Sequence, residues 1–188
     1  MPPVPSTLVI IDVQQAFDDP AWGARNNPDA ELNVARLLTA WRQAGWPIVH
    51  VRHANDGPIG RFRRQVSGFQ PKPDARELPG ELVMVKTVNS AFIGTDLRNV
   101  LTAHGGEVIC VGLTTDHCVS TTVRMAANYG FATTIVCDAT ATFERTGPDG
   151  RHWTAEEMHD NALASLNDEF ALVRTTDQVL AGFRMQTD

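Results

Sequence analysis

The chain is poor in lysine. It has only Lys72 and Lys86 against fourteen arginines. Lys86 closes an apolar run, Leu82-Val-Met-Val-Lys86, where solubility is no motive for a charge. Positive charge is scarce overall. The net charge is −6 and the isoelectric point about 5.4, so the basic face that nucleic acid or an acidic membrane needs is missing. Cysteines number three, an odd count with no Cys-x-x-Cys pair, which fits free thiols in a reducing compartment. No charged segment leads into a signal-type apolar core, and the expected location is the cytoplasm. The longest apolar runs are strand-sized, which excludes a transmembrane helix. No Gly-x-Gly-x-x-Gly follows a strand, so the dinucleotide-binding pattern is missing and no cofactor is expected. No period repeats and no composition shift marks a boundary. Residues 1–188 are therefore expected to form one domain, with the proline-rich 1–6 frayed.

What is present alternates. Thr7-Leu-Val-Ile-Ile-Asp12 is a continuous β-branched run, the pattern of a strand buried on both faces of a parallel sheet. Residues 18–30 read as loop. Glu31 to Ala44 has helical apolar spacing, and Gly45 stands where a C-cap belongs. Pro47 to Arg52 reads as the second strand and Leu82 to Lys86 as the third, with a long irregular stretch over 54–80 between them. A loop of that length in a compact domain suggests function. Then follow a helix over Thr95–His104, a strand over Glu107–Val111, a helix over 116–129 and a strand over Phe131–Cys137. Asp138 to Gly150 reads as loop. Thr154-Ala-Glu-Glu157 is a capping-box pattern opening a helix to about Leu166. Glu169–Val173 is a sixth strand and Asp177–Phe183 a last helix. Such alternation implies an α/β fold with a parallel sheet and helices on both faces.

Ligands of open parallel sheets bind beyond the carboxyl ends of the strands. Asp12, Lys86 and Cys118 all fall there. Cys118 opens a helix-like segment, where the positive end of the helix dipole is expected to lower its pKa. Asp12 would serve as its base, and Lys86 as the ammonium that orients that carboxylate. The backbone N–H groups of Thr114 and Cys118 would face a developing oxyanion. Each residue alone has a bland explanation: a turn, a snorkelling lysine, a small buried thiol. Their convergence on one edge does not.

Three ordered motifs carry a resemblance. They are Leu8-Val-Ile-Ile-Asp12-Val-Gln14-Gln-Ala-Phe17, Lys86-Thr-Val-Asn-Ser-Ala-Phe92-Ile-Gly-Thr-Asp-Leu97 and Gly112-Leu-Thr-Thr-Asp-His-Cys118-Val. From about residue 7 to 180 the sequence resembles the isochorismatase-like cysteine hydrolase family. The resemblance implies a three-layer α/β/α sandwich around a six-stranded parallel sheet and an Asp12-Lys86-Cys118 triad. It also implies a cis peptide between Leu113 and Thr114, and a homo-oligomer. It implies that Cys118 cleaves a C–N bond of a small-molecule substrate (an amide, ureido compound or lactam) through a thioester. Nicotinamidases of the family carry an Asp-x-His for a metal after the second strand. Here that region reads His50-Val-Arg-His53-Ala-Asn-Asp56, and no metal site is expected. His50 and His53 face opposite sides of a strand and cannot share a metal there, which leaves His53 with Asp56 as the one pair that could still meet, in the loop.

Phe17 and Phe92 follow the Asp and Lys motifs and are candidate pocket walls, with Trp22 a weaker third. Arg61, Arg63 and Arg64 would grip an anionic or polyhydroxylated substrate, or form a solvated or subunit-facing cluster. Phe143, Glu144 and Arg145 are candidates for a rim. His117 adjoins the thiol, but helix geometry does not require it to share the pocket. Cys110 and Cys137 read as core. Two competing functions stand beside the amidohydrolase. One is a vinyl-ether hydrolase of isochorismatase type that needs no thiol. The other is a catalytically silent α/β binding protein.

Overall fold

The structure is a computed structural model and describes residues 5–187. In chain order the elements are β1 (Thr7–Ile11), α1 (Ala30–Ala44), β2 (Ile48–His53), β3 (Leu82–Lys86), α2 (Leu97–His104), β4 (Val108–Leu113), α3 (Ser120–Asn128) and β5 (Thr133–Ala141). A short antiparallel pair follows, β6 (Arg145–Thr146) and β7 (His152–Trp153), then α4 (Ala155–Leu166), β8 (Leu172–Arg174) and α5 (Thr176–Thr187). Six strands form one parallel sheet in the order β3-β2-β1-β4-β5-β8.

The unbroken apolar run of β1 has a simple cause. Alternate side chains enter opposite layers. Leu8 and Ile10 pack with Leu37, Leu38 and Trp41 of α1 and Val179 of α5. Val9 and Ile11 pack with Leu97 of α2, Val123 of α3 and Leu166 of α4. Both layers are dry: Leu8, Val9, Ile11, Leu37 and Leu38 are each 0% exposed. Full burial of one such side chain stabilises the fold by roughly 2 kcal/mol. Gly45 ends α1 in the left-handed region (φ +66°), as its position suggests. Thr154 and Glu157 close the expected capping box on α4. Among the described residues no helix is long and apolar enough to cross a membrane.

Several boundaries move. The strand expected to end at Cys137 runs on to Ala141, because β4 and β5 slip register between Cys110 and Gly112 and then resume pairing at Gly112↔Thr140. A bulge of this kind leaves no mark in the apolar pattern. β4 likewise runs past Val111 to Leu113. Gly112 there has φ +119°, and a Cβ on it would lie 1.9 Å from the Ile11 carbonyl oxygen. Only glycine lets β4 press this closely on β1. The sixth strand begins at Leu172, not Glu169, and the last helix extends past Phe183. The frayed start does not reach Ser6. That residue is buried, and its carbonyl accepts from Trp41 Nε1 at 3.0 Å. Residues 1–4 lie outside the described residues.

Candidate active site

The strand order reverses between β1 and β4, and a crevice opens there at the carboxyl ends. Asp12 leaves β1 in the left-handed region (φ +53°) while its N–H still donates to Val51 O at 2.9 Å. A short polar residue tolerates that backbone better than a bulky one. Lys86 is the last residue of β3. Cys118 is the fourth residue of a π-helical turn, Thr115–Val119, between β4 and α3. π turns are rare and cluster at functional sites. The Leu113–Thr114 peptide bond just before it is cis.

The three residues meet around one ammonium. Lys86 Nζ donates to Asp12 Oδ2 at 2.6 Å, to Cys118 Sγ at 3.3 Å and to His53 Nδ1 at 3.2 Å. The side chains of Lys86 and Asp12 are 0% and 1% exposed. Asp12 Oδ1 has no hydrogen-bond partner among the described residues. Burial pushes the Asp12 carboxyl above its usual range, and Lys86 only partly opposes this. Burial and the neighbouring Asp12 charge push the Cys118 thiol up to about 12. This corrects the expectation of a thiol acidified by a helix start. Cys118 sits inside a π turn, desolvated and beside a carboxylate. The resting group is a thiol that needs a proton acceptor within reach.

Asp12, His53 and Cys118 each present a possible metal-ligand atom, and these atoms lie within 4.8 Å of one another. The Lys86 ammonium hydrogen-bonds to all three, so the place of a cation is already taken by a side chain. His53 and Asp56 do not meet. Asp56 faces Arg64, with Nε 3.9 Å from Oδ1. His50 lies on the other face of the sheet, bonded to Glu81 at 2.9 Å.

A pocket of about 170 Å³ opens over the cluster. Phe17, Trp22 and Phe62 form an aromatic wall, with ring centroids 5.3 and 5.1 Å from Phe17. Asn89, His117 and Arg145 form a polar wall. Thr114 and Cys118 lie between the walls, with Asp12 and His53. A larger open groove of about 750 Å³ runs past Gln15, Asp18, Arg61 and Ser67, but it reaches none of the clustered residues. The smaller pocket is therefore the site.

Phe17 and Trp22 line the pocket as expected. Phe92 does not. It is buried against Tyr129 and Phe131, with centroids at 5.2 and 6.3 Å, because the loop after Lys86 turns toward α3. Arg61 does not reach the pocket either; it pairs with Asp19 and lies over the Trp22 ring at 5.3 Å. Arg64 lies over Phe69. Arg63 is half-buried beside them and lines no part of the pocket. Arg145 does line it, while Phe143 backs Phe17 at 5.9 Å. Asp116 is 8% exposed and fixes Arg145, accepting from Nε at 2.9 Å. His117 shares the pocket because a π turn has more residues per turn than an α-helix, so successive residues leave the axis at a smaller angle. Phe62 and Asn89 went unmarked in sequence, since neither falls in a periodic segment. Cys110 is core, and Cys137 is half-buried.

Fold and site together define a doubly wound α/β protein with a thiol, a carboxylate and an ammonium at its switch point. A model of the isochorismatase domain matches residues 6–178. The chain belongs to the isochorismatase family of hydrolases. It is 44% identical to the isochorismatase family protein YrdC of Bacillus subtilis, over 94% of this chain and 95% of that one. It is 31% identical to a streptothricin hydrolase of Streptomyces noursei, over 88% of this chain and 67% of that one. The crystal structure of an isochorismatase-family protein from Chromobacterium violaceum, 41% identical, superposes with a TM-score of 0.95 over 98% of this chain and 96% of that one.

Proposed function

We propose that the protein is a cysteine amidohydrolase acting on a C–N bond of a small molecule. The observation that carries this reading is the fully buried Lys86 ammonium, which donates to both Asp12 and Cys118. Nothing in core packing calls for a lysine there, and the arrangement leaves one carboxylate oxygen free to take the thiol proton. Relatives include a nicotinamidase of Arabidopsis thaliana and a ureidoacrylate amidohydrolase of Methylobacterium radiotolerans, which supports C–N hydrolysis as the chemistry.

Asp12 Oδ1 takes the proton of Cys118 as Sγ attacks the substrate carbonyl carbon. The oxyanion is held by the Thr114 and Cys118 N–H groups. Lys86 keeps its charge beside the new thiolate character and stops the Asp12 carboxylate from swinging away. Asp12 returns the proton to the leaving nitrogen, the C–N bond breaks and a thioester remains. Asp12 then takes a proton from a water as its oxygen attacks the thioester carbonyl; the C–S bond breaks, and Asp12 returns the proton to Sγ, which releases the acid and restores the thiol. The aromatic wall would cover a planar or apolar body, and Asn89 and Arg145 would meet polar groups at the mouth.

The test is a panel of small amides, ureido compounds and lactams, read by mass spectrometry as the gain of one water. That readout also catches ring openings that release no ammonia. Cys118→Ala is expected to abolish turnover of any substrate found while the fold persists. Retained turnover would sink the thiol mechanism and favour a vinyl-ether type of hydrolysis.

A further inference from the structure

His53 is the last residue of β2, and Lys86 is its register partner at the end of β3, so both side chains leave the sheet on one face. An ammonium has three N–H donors and no acceptor. Lys86 spends one on Asp12, one on Cys118 and the third on His53 Nδ1. Because lysine only donates, Nδ1 must accept. The imidazole proton is therefore on Nε2.

The rest of the surroundings fixes the ring in this role. The Gln14 side chain is 1% exposed and clamps the His53 backbone from both sides. Its Oε1 accepts from the His53 N–H at 2.8 Å, and its Nε2 donates to the His53 carbonyl at 3.0 Å. Gln14 thus does with a side chain what a neighbouring strand does with its backbone, after Asp12 has turned out of β1. The Phe62 ring meets the imidazole edge-on at 5.3 Å. Burial and the Lys86 charge both favour the neutral ring.

We propose that His53 is a positioning residue for Lys86: locked as the Nε2–H tautomer, it takes the third ammonium proton and so holds the charge between Asp12 and Cys118. The proposal rests on the reading of Cys118 as nucleophile. Without His53, one buried N–H of the ammonium has no partner, which disfavours the charged form and withdraws support from the thiolate.

The experiment compares alkylation by iodoacetamide, mapped to each cysteine by mass spectrometry, in the unaltered chain, His53→Leu and His53→Asn. Asparagine places a carbonyl oxygen where Nδ1 lies, and leucine places nothing. In the unaltered chain Cys118 is expected to react faster than Cys137, because Asp12 stands ready to take its proton as Sγ attacks the reagent. His53→Leu is expected to slow Cys118 by about tenfold or more, with Cys137 unchanged. His53→Asn is expected to restore most of that rate. Should His53→Leu fold poorly, ¹⁵N NMR of histidine-labelled protein decides on the unaltered chain: Nδ1 should report an unprotonated acceptor and Nε2 a protonated nitrogen. The opposite tautomer overturns the proposal, as does a Cys118 rate in folded His53→Leu equal to that of the unaltered chain. Equal, slow labelling of Cys118 and Cys137 in the unaltered chain would instead overturn the nucleophile reading itself.

Discussion

The chain has two lysines and buries both on carboxylates, to opposite effect. Lys72 meets Glu31 at 2.7 Å and Asp18 at 2.6 Å. Glu31 also takes both guanidinium branches of Arg25, through Nη1 at 2.7 Å and through Nη2. Burial would raise the Glu31 carboxyl, but the Arg25 and Lys72 hydrogen bonds more than reverse it and hold the group down at about 2. Lys86 meets Asp12 at 2.6 Å, yet among the described residues Asp12 has no second cation hydrogen-bonded to it and keeps one oxygen bare. There burial wins, and the carboxyl is pushed up. The first cluster is over-supplied with donors and fastens the start of α1 to the flanking loops. The second is under-supplied, and that deficit is what makes its carboxylate basic. A structural ion cluster spends its acceptors, whereas a site meant to move a proton keeps one back.

Exchanging the charges should separate the two clusters most sharply. Asp12→Asn is expected to cut turnover of a validated substrate by about a thousandfold or more, leaving the fold intact. Glu31→Gln should do the reverse. It leaves Arg25 without a carboxylate and Lys72 with Asp18 alone, and should cost about 2–3 kcal/mol in urea unfolding, with kcat little changed. If Glu31→Gln stops turnover in folded protein, the division of labour drawn here is wrong.

The pH profiles should divide in sign. The folded pKa of Glu31 lies below its unfolded value, so its contribution is present above about pH 4.5 and fades as the pH falls toward 2. Solvent reaches part of the group and screens it, which holds the contribution to about 1–2 kcal/mol. Asp12 runs the other way. Its folded pKa is raised, so the folded state loses stability on this account as the pH climbs from the unfolded value through the folded one. Acid denaturation should therefore soften in Glu31→Gln, measured against the unaltered chain. The acid limb of kcat/KM should lie above the ordinary aspartate range near 4 and vanish with Asp12→Asn.

The smallest contrast is aromatic. Phe17→Leu should raise KM, since the ring lines the pocket, while Phe92→Leu should cost roughly 1 kcal/mol of stability and leave KM alone. A KM effect from Phe92→Leu would return that ring to the site.

These residues also show how far the sequence could be read. Asp12 and Lys86 stood out because each puts a charge at the end of a buried apolar run, and Cys118 because a glycine and a polar cluster separate it from another. The strand count and the parallel order follow from the same runs. Phe92 was misplaced because proximity in sequence to Lys86 says nothing about which way a loop turns. The thiol's pKa was misjudged because a dipole argument needs a helix axis, and the turn that carries Cys118 is π rather than α. His53 was read only as a possible metal ligand with Asp56. Its partnership with Lys86 depends on the register between β2 and β3, which no local pattern encodes. Phe62 and Asn89 come from irregular stretches and reach the pocket only through the fold.

Gly112 gives the site an uneven tolerance of change. The rings over the pocket come from loops, and loops accept new lengths and new residues, so what the pocket admits can be retuned without touching the sheet. The contact of Gly112 with the Ile11 carbonyl has no such slack. A single added methyl there would wedge β4 from β1 and carry the Cys118 turn away from Asp12. Directed evolution of this protein should therefore find its gains around Phe17, Trp22 and Phe62, and should recover glycine at 112 in every active clone.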